Sequence, residues 1–300
     1  VASKIACGYT LDEIPNEVTG KTKACFEPAV DYIVAKIPKF PFDKFVKAKK
    51  TLGTQMKATG EVMSISNNFE SALMKAIRSL ELGIMGLFIP TIHQLSDDEL
   101  SQHLRIVEDM RLFYLAEAIR RGQTTEDLYA LTMVDKFFLN KLRHLVSVEE
   151  QIRACKSSTD ISEALFKKAV TYGFPDTYIA KLTGDSAEQI RSRRQFLEMH
   201  YSYKMVDTCA GEYAAVTPYY YSTFDKMNEA VRTDRKKVIV LGSGPIRIGQ
   251  GIEFDYCCVH SSWALRDIGY ESIIINNNPE TVSTDYDTSD RLYFEPLTAD

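Results

Sequence analysis

The chain is 300 residues long, 45% hydrophobic and 26% charged, with a net charge of −5 from 36 Lys and Arg against 41 Asp and Glu. That length calls for two or three folded units, and the mild acidity offers no broad basic field to nucleic acid or to an anionic membrane surface. No apolar run reaches the ~18–20 residues that cross a bilayer, so neither nucleic acid nor membrane is expected as a partner.

Val1-Ala2-Ser3-Lys4-Ile5 lacks signal-peptide character, no Met opens the chain, and Leu297-Thr298-Ala299-Asp300 closes it just past a strand; both ends read as cut. None of the six cysteines forms a C-x-x-C pair, and the adjacent Cys257 and Cys258 are poorly spaced for zinc. Reduced, mostly buried thiols, Cys209 included, in a cytoplasmic protein are expected. Residues 5–8 read as the tail of a helix and 10–13 as the start of a short one. Residues 32–37 are β-branched enough for a strand, halted by Pro38 and Pro41, and 61–65 make a second. Phe69, Leu73, Ala76, Ile77 and Leu80 then recur at helical spacing up to Gly83. Two strands and a helix cannot close a sheet of their own, so residues 1–90 are assigned to the end of a larger α+β domain.

Residues 91–232 change character. Ser96 caps an acidic first turn, and Leu100, Leu104, Val107, Met110 and Leu115 continue one apolar side. Further helical starts fall at Thr124, Ser147, Ser162 and Asp185-Ser186, with breaks at Gly122, Gly173 and Gly184. An all-α domain of six to eight helices is predicted. The Tyr-rich stretch 201–232 has no clean period and reads as an ordered connector.

From residue 233 a doubly wound sheet opens: a buried strand at 238–241, a glycine loop, a helix from about Asp255 to Ile268, and strands at 272–276 and 291–294. The loop Gly242-Ser243-Gly244-Pro245-Ile246-Arg247-Ile248-Gly249-Gln250-Gly251 fails the dinucleotide fingerprint. In G-x-G-x-x-G the third glycine follows the second by three residues; Arg247 stands there instead. Such a loop lets backbone pass close to something narrow. Arg247 and Glu253 bracket it with opposite charges, either as a surface ion pair or as a pair flanking a passage. There is no P-loop. Asp285, Asp287 and Asp290 have calcium-like spacing but lack the glycine and closing glutamate, so they read as turn residues. The five histidines show no i, i+4 ligand pair, so no metal site is expected.

Gly249-Gln250-Gly251-Ile252-Glu253-Phe254-Asp255-Tyr256-Cys257-Cys258-Val259-His260 resembles the opening of the second half of the carbamoyl phosphate synthetase large subunit. Asn278-Pro279-Glu280-Thr281-Val282-Ser283-Thr284-Asp285-Tyr286-Asp287 resembles the same region. Phe26-Glu27-Pro28, Lys36-Ile37-Pro38, Thr54-Gln55-Met56-Lys57 and Gly60-Glu61-Val62-Met63 resemble the close of the first half. The resemblance implies a central helical oligomerisation domain (91–232) between the tail of the first, carboxyphosphate ATP-grasp domain (1–90) and the start of a Rossmann-like pre-ATP-grasp domain (233–300).

It further implies a parent ligase that makes carbamoyl phosphate from bicarbonate, ammonia drawn from glutamine, and two ATP. Mg-ATP and K⁺ would bind the parent. The segment alone would bind no cofactor and hold no complete catalytic site. Its partners would be the rest of the large subunit, a glutaminase small subunit and further copies through the helical domain. Glu61, Arg247, Gly251, Glu253 and Glu280 map to a tunnel that carries carbamate between the two sites. For Glu61 a strand-end carboxylate, and for Glu280 a turn cap after Pro279, are the plainer alternatives. The competing reading of the whole chain is a stand-alone helical interaction or nucleic-acid-binding module fused to a nucleotide-binding βαβ unit. Asp185 to Arg194, with three arginines on its second helix, has the helix-turn-helix look that reading needs.

Overall fold

The computed structural model describes residues 1–16, 20–27, 29–207 and 217–299. Pro28, Cys209 and Asp300, named above, lie outside the described residues. Helix α1 (Ala2–Ala6) is followed by turns, not the second short helix expected at 10–13. Glu13 Oε2 folds back to accept from Thr10 N at 2.9 Å, and Pro15 disfavours helical backbone at the residue before it. Strands β1 (Ile33–Lys39) and β2 (Gly60–Ser66) pair antiparallel, Ile37 facing Val62 and Pro38 facing Glu61. Pro38 does not halt β1, because both strands of this two-stranded sheet are edges, where proline's missing N–H is tolerated. Helix α2 (Phe69–Ser79) starts on an Asn68 cap whose Oδ1 accepts from Ser71 N at 2.8 Å, and it is buried on every face.

The bundle comprises α3 (Pro90–His93), α4 (Asp97–Arg105), α5 (Arg111–Arg120), α6 (Thr125–Thr132), α7 (Lys136–Arg153), α8 (Glu163–Thr171), α9 (Asp176–Thr183) and α10 (Ala187–Phe196). Ser96, Thr124 and Ser186 each close a capping box. Leu104, Phe113, Leu128, Leu145, Ile152 and Phe166 share one core with Leu73, Met74 and Ile77 of α2. Two expectations fail here. The apolar side from Leu100 to Leu115 does not run through one helix: the chain turns extended at Ile106, and Val107 O accepts from Leu52 N at 2.7 Å. Ser147 starts no helix but lies within α7, whose Asp135 cap comes twelve residues earlier. The continuous buried face Leu139, Leu142, Leu145, Val148, Ile152 outweighs the local capping signal there.

Charge lies inside this bundle. Glu117 and Glu149, at 1% and 0% exposure, both accept from Arg120, each at 2.5 Å. Tyr178 Oη donates to Glu149 at 2.5 Å, His93 Nδ1 lies 2.9 Å from Glu117, and Arg153 stacks on Phe88 at 3.7 Å. Burial pushes the Glu117 carboxyl up, but hydrogen bonds from Arg121, His93 and Arg120 prevail and hold it below the usual range.

The second sheet runs in the order β3 (Ser202–Met205), β4 (Tyr219–Thr223), β7 (Arg291–Phe294), β6 (Glu271–Asn276), β5 (Lys237–Leu241). The β3–β4 pair is antiparallel and the other pairings are parallel. Helix α11 (Glu253–Asp267) crosses from β5 to β6, and a 3₁₀ turn at Val282–Thr284 links β6 to β7. Part of the expected connector is thus sheet. Its tyrosines hide their strand character because they pair with β7 about seventy residues away, Tyr220 stacking on Tyr293 at 5.4 Å.

Candidate functional site

The hairpin β1–β2 and the glycine loop meet at a junction. β5 runs into Gly242, whose N–H donates to Ile275 O at 2.8 Å, and a Cβ at Gly242 would drive into Asn276. Gly244 takes positive φ, +67°, and donates to Asn276 Oδ1 at 3.2 Å while its carbonyl accepts from Asn278 Nδ2 at 3.2 Å. Both asparagines are buried. The Gly244 N–H that a dinucleotide loop would turn toward phosphate is therefore spent on the protein.

The hairpin closes on this loop without intervening side chains. A Cβ on Gly60 would come 2.9 Å from both Ile246 N and Ile246 O, so only glycine permits the approach. Three residues on, Met63 N donates to Asn277 O at 2.7 Å. The Asn277 side chain is buried and meets no hydrogen-bond partner among the described residues.

Charged groups flank the contact on both sides. Lys36 of β1 reaches Glu61 Oε1 at 2.5 Å and Glu280 Oε1 at 3.6 Å, bringing two of the expected residues together. The Glu280 carboxylate is therefore not a turn cap; its backbone N–H is instead held by Asn278 Oδ1 at 3.0 Å. Arg247 pairs with Glu81, just past α2, rather than with Glu253 as the loop's charge pattern suggested. Gly251 and Glu253 stand at the exposed start of α11, and a Cβ at Gly251 would collide with the Glu253 carboxylate. The hydrogen bond that Lys36 donates to Glu61 is the first of the influences that hold its ammonium above the ordinary range.

Sequence reasoning missed Lys36, Glu81, Gly60 and the asparagine pins. Lys36 was findable: it faces Met63, so Glu61 lies diagonally beside it on the same hairpin face. Glu81 gave no such signal, since its partner lies 166 residues away in sequence. Elsewhere, two of the three arginines of the helix-turn-helix look are engaged internally, while Arg191 stays half exposed. Arg194 is buried on Asp176 at 2.9 Å, and Arg193 donates to Ile161 O and stacks on Phe166. Asp290 accepts from Ser272 N at 2.9 Å and pairs with Arg235, as a turn residue does. Among the described residues no three His, Cys, Asp or Glu side chains converge as a metal site would require, and no helix is long and apolar enough to cross a membrane.

The architecture is that of a junction segment in a multidomain α/β protein: a helical bundle between a hairpin–helix unit and a parallel sheet whose glycine loop is pinned to its own second strand. The family described as "Carbamoyl-phosphate synthetase large chain, oligomerisation domain" matches residues 61–198, taking in β2, α2 and the bundle. "Carbamoyl phosphate synthase preATP-grasp domain" matches residues 234–300. A curated relative named carbamoyl phosphate synthase large chain, from Lachnoclostridium phytofermentans, is 54% identical over 300 residues. That match takes in 99% of this chain and 28% of the relative's length. The chain belongs to the carbamoyl phosphate synthase large-chain family and carries these two domains.

Proposed function

We propose that the parent polypeptide is a cytoplasmic, glutamine-dependent ligase that makes carbamoyl phosphate from bicarbonate and two Mg-ATP, supplied with ammonia by a glutaminase subunit. In this reading residues 1–90 end the carboxyphosphate half, with β2 and α2, which the oligomerisation-domain match also takes in, leading into the 91–232 unit that gives the oligomer contacts, and 233–300 begin the carbamoyl phosphate half. The segment's own work is scaffolding and forming one wall of a passage for carbamate. Carbamate decomposes in water, so a two-stage synthesis needs an enclosed route between its sites. The observation that carries the reading is the seam itself: Gly60 backed onto Ile246, with Glu61 and Glu280 gathered on Lys36 at its edge.

In the full-length enzyme, Gly251→Phe fills the start of α11 beside Glu253. Carbamoyl phosphate formation should be lost while bicarbonate-dependent ATP hydrolysis stays largely intact. Parallel loss of both activities, or loss of neither, would overturn the reading.

A further inference from the structure

The two charged contacts at the junction are reciprocal. In one the cation is Lys36, from the hairpin, and the far anion is Glu280, from the turn after β6. In the other the cation is Arg247, from the glycine loop, and the anion is Glu81, from the end of α2. Between them lie close backbone contacts, Gly60 against Ile246 and Met63 N to Asn277 O, and behind these Ile65 and Met63 of β2 pack with Ile274 and Leu292 of the sheet. Lys36 differs from Arg247 in serving two carboxylates, one from each side of the seam. Without that ammonium, Glu61 and Glu280 would confront each other as like charges, which pushes the two sides apart.

We propose that Lys36 is a positioning residue that seals the passage: by gathering Glu61 and Glu280 on one ammonium it holds the hairpin against the sheet and keeps bulk water out of the seam. This rests on the reading of the junction as a carbamate route. The backbone on both sides is already set, Glu61 by its register opposite Pro38 and Glu280 by the Asn278 bond, and the apolar packing of Ile65 holds the interior of the contact, so the ammonium acts at its open edge. Lys36 is half-exposed and packs into no apolar core, so its loss should alter sealing rather than folding.

The test uses the full-length large chain assembled with its glutaminase subunit, reading carbamoyl phosphate formed per bicarbonate-dependent ATP hydrolysed. Lys36→Met should lower that ratio about tenfold with ATP hydrolysis maintained, and Lys36→Arg should restore most of it. Glu280→Gln removes the far anchor without touching the hairpin, so it should lower the ratio too, and it guards against a folding artefact. An unchanged ratio in Lys36→Met, failure of Lys36→Arg to restore it, or an unchanged ratio in Glu280→Gln would each overturn the proposal. Gly251→Phe, assayed alongside, separates the two ideas. If it uncouples while Lys36→Met does not, the passage stands and Lys36 loses its role; if it leaves coupling intact, the passage itself is refuted.

Discussion

The helical bundle and the glycine-loop junction both gather charged side chains, yet they use them in opposite ways. In the bundle, Glu117 and Glu149 are removed from water and every partner is supplied from within: Arg120 to both, Tyr178 to one, His93 to the other. At the junction, Lys36 and Arg247 remain about half exposed and each reaches across to carboxylates from the other side. Desolvated ion networks are costly to break because the survivor stays buried and unpaired, whereas exposed pairs fix geometry at little energetic consequence. The bundle's charges therefore bear on stability and the junction's on alignment.

The sharpest way to break this contrast is Arg120→Met. It removes the guanidinium shared by two buried carboxylates, leaving Glu117 to Arg121 and His93 and Glu149 to Tyr178 and Arg153, and should cost the bundle about 1.5–3 kcal/mol, read from hydrogen exchange of α5 and α7 amides in the full-length chain. Lys36→Met should leave those same amides unchanged; a comparable loss of protection would erase the distinction. Acid is a gentler probe. Because the folded Glu117 carboxyl titrates below its ordinary value of 4.5, its contribution is fully present above that pH. It is lost as pH falls through the lower folded value. Glu117→Gln should flatten this acid limb while lowering the neutral plateau, and an unchanged limb would mean other carboxyls dominate it. The smallest effect should come from Ser96→Ala. It removes one side of the α4 capping box and should cost about 1 kcal/mol, confined to exchange of the α4 amides.

Much of the bundle was legible because helix signals are local. Ser96, Thr124 and Ser186 announce α4, α6 and α10 within four residues, and Gly122, Gly173 and Gly184 take the positive φ that follows α5, α8 and α9. The misreadings came where a distant group decided. Leu52 captures the carbonyl of Val107 and helps end α4 early, and the long apolar face of α7 overrides the cap signal at Ser147. Likewise β3 and β4 are strands only because β7 lies beside β4.

At the site, the sequence by itself determined a glycine loop that is no dinucleotide fingerprint, while the family resemblance it carries pointed to Glu61, Arg247, Gly251, Glu253 and Glu280 as candidate residues. Tertiary structure decided how they are paired. It sends Arg247 to Glu81 instead of Glu253, sets Gly60 against Ile246, and gathers Glu61 and Glu280 on Lys36. The physical reason is range. Caps, turns and glycine conformations are fixed by neighbours a few residues away, while a salt bridge or close backbone contact depends on which distant strands are packed side by side.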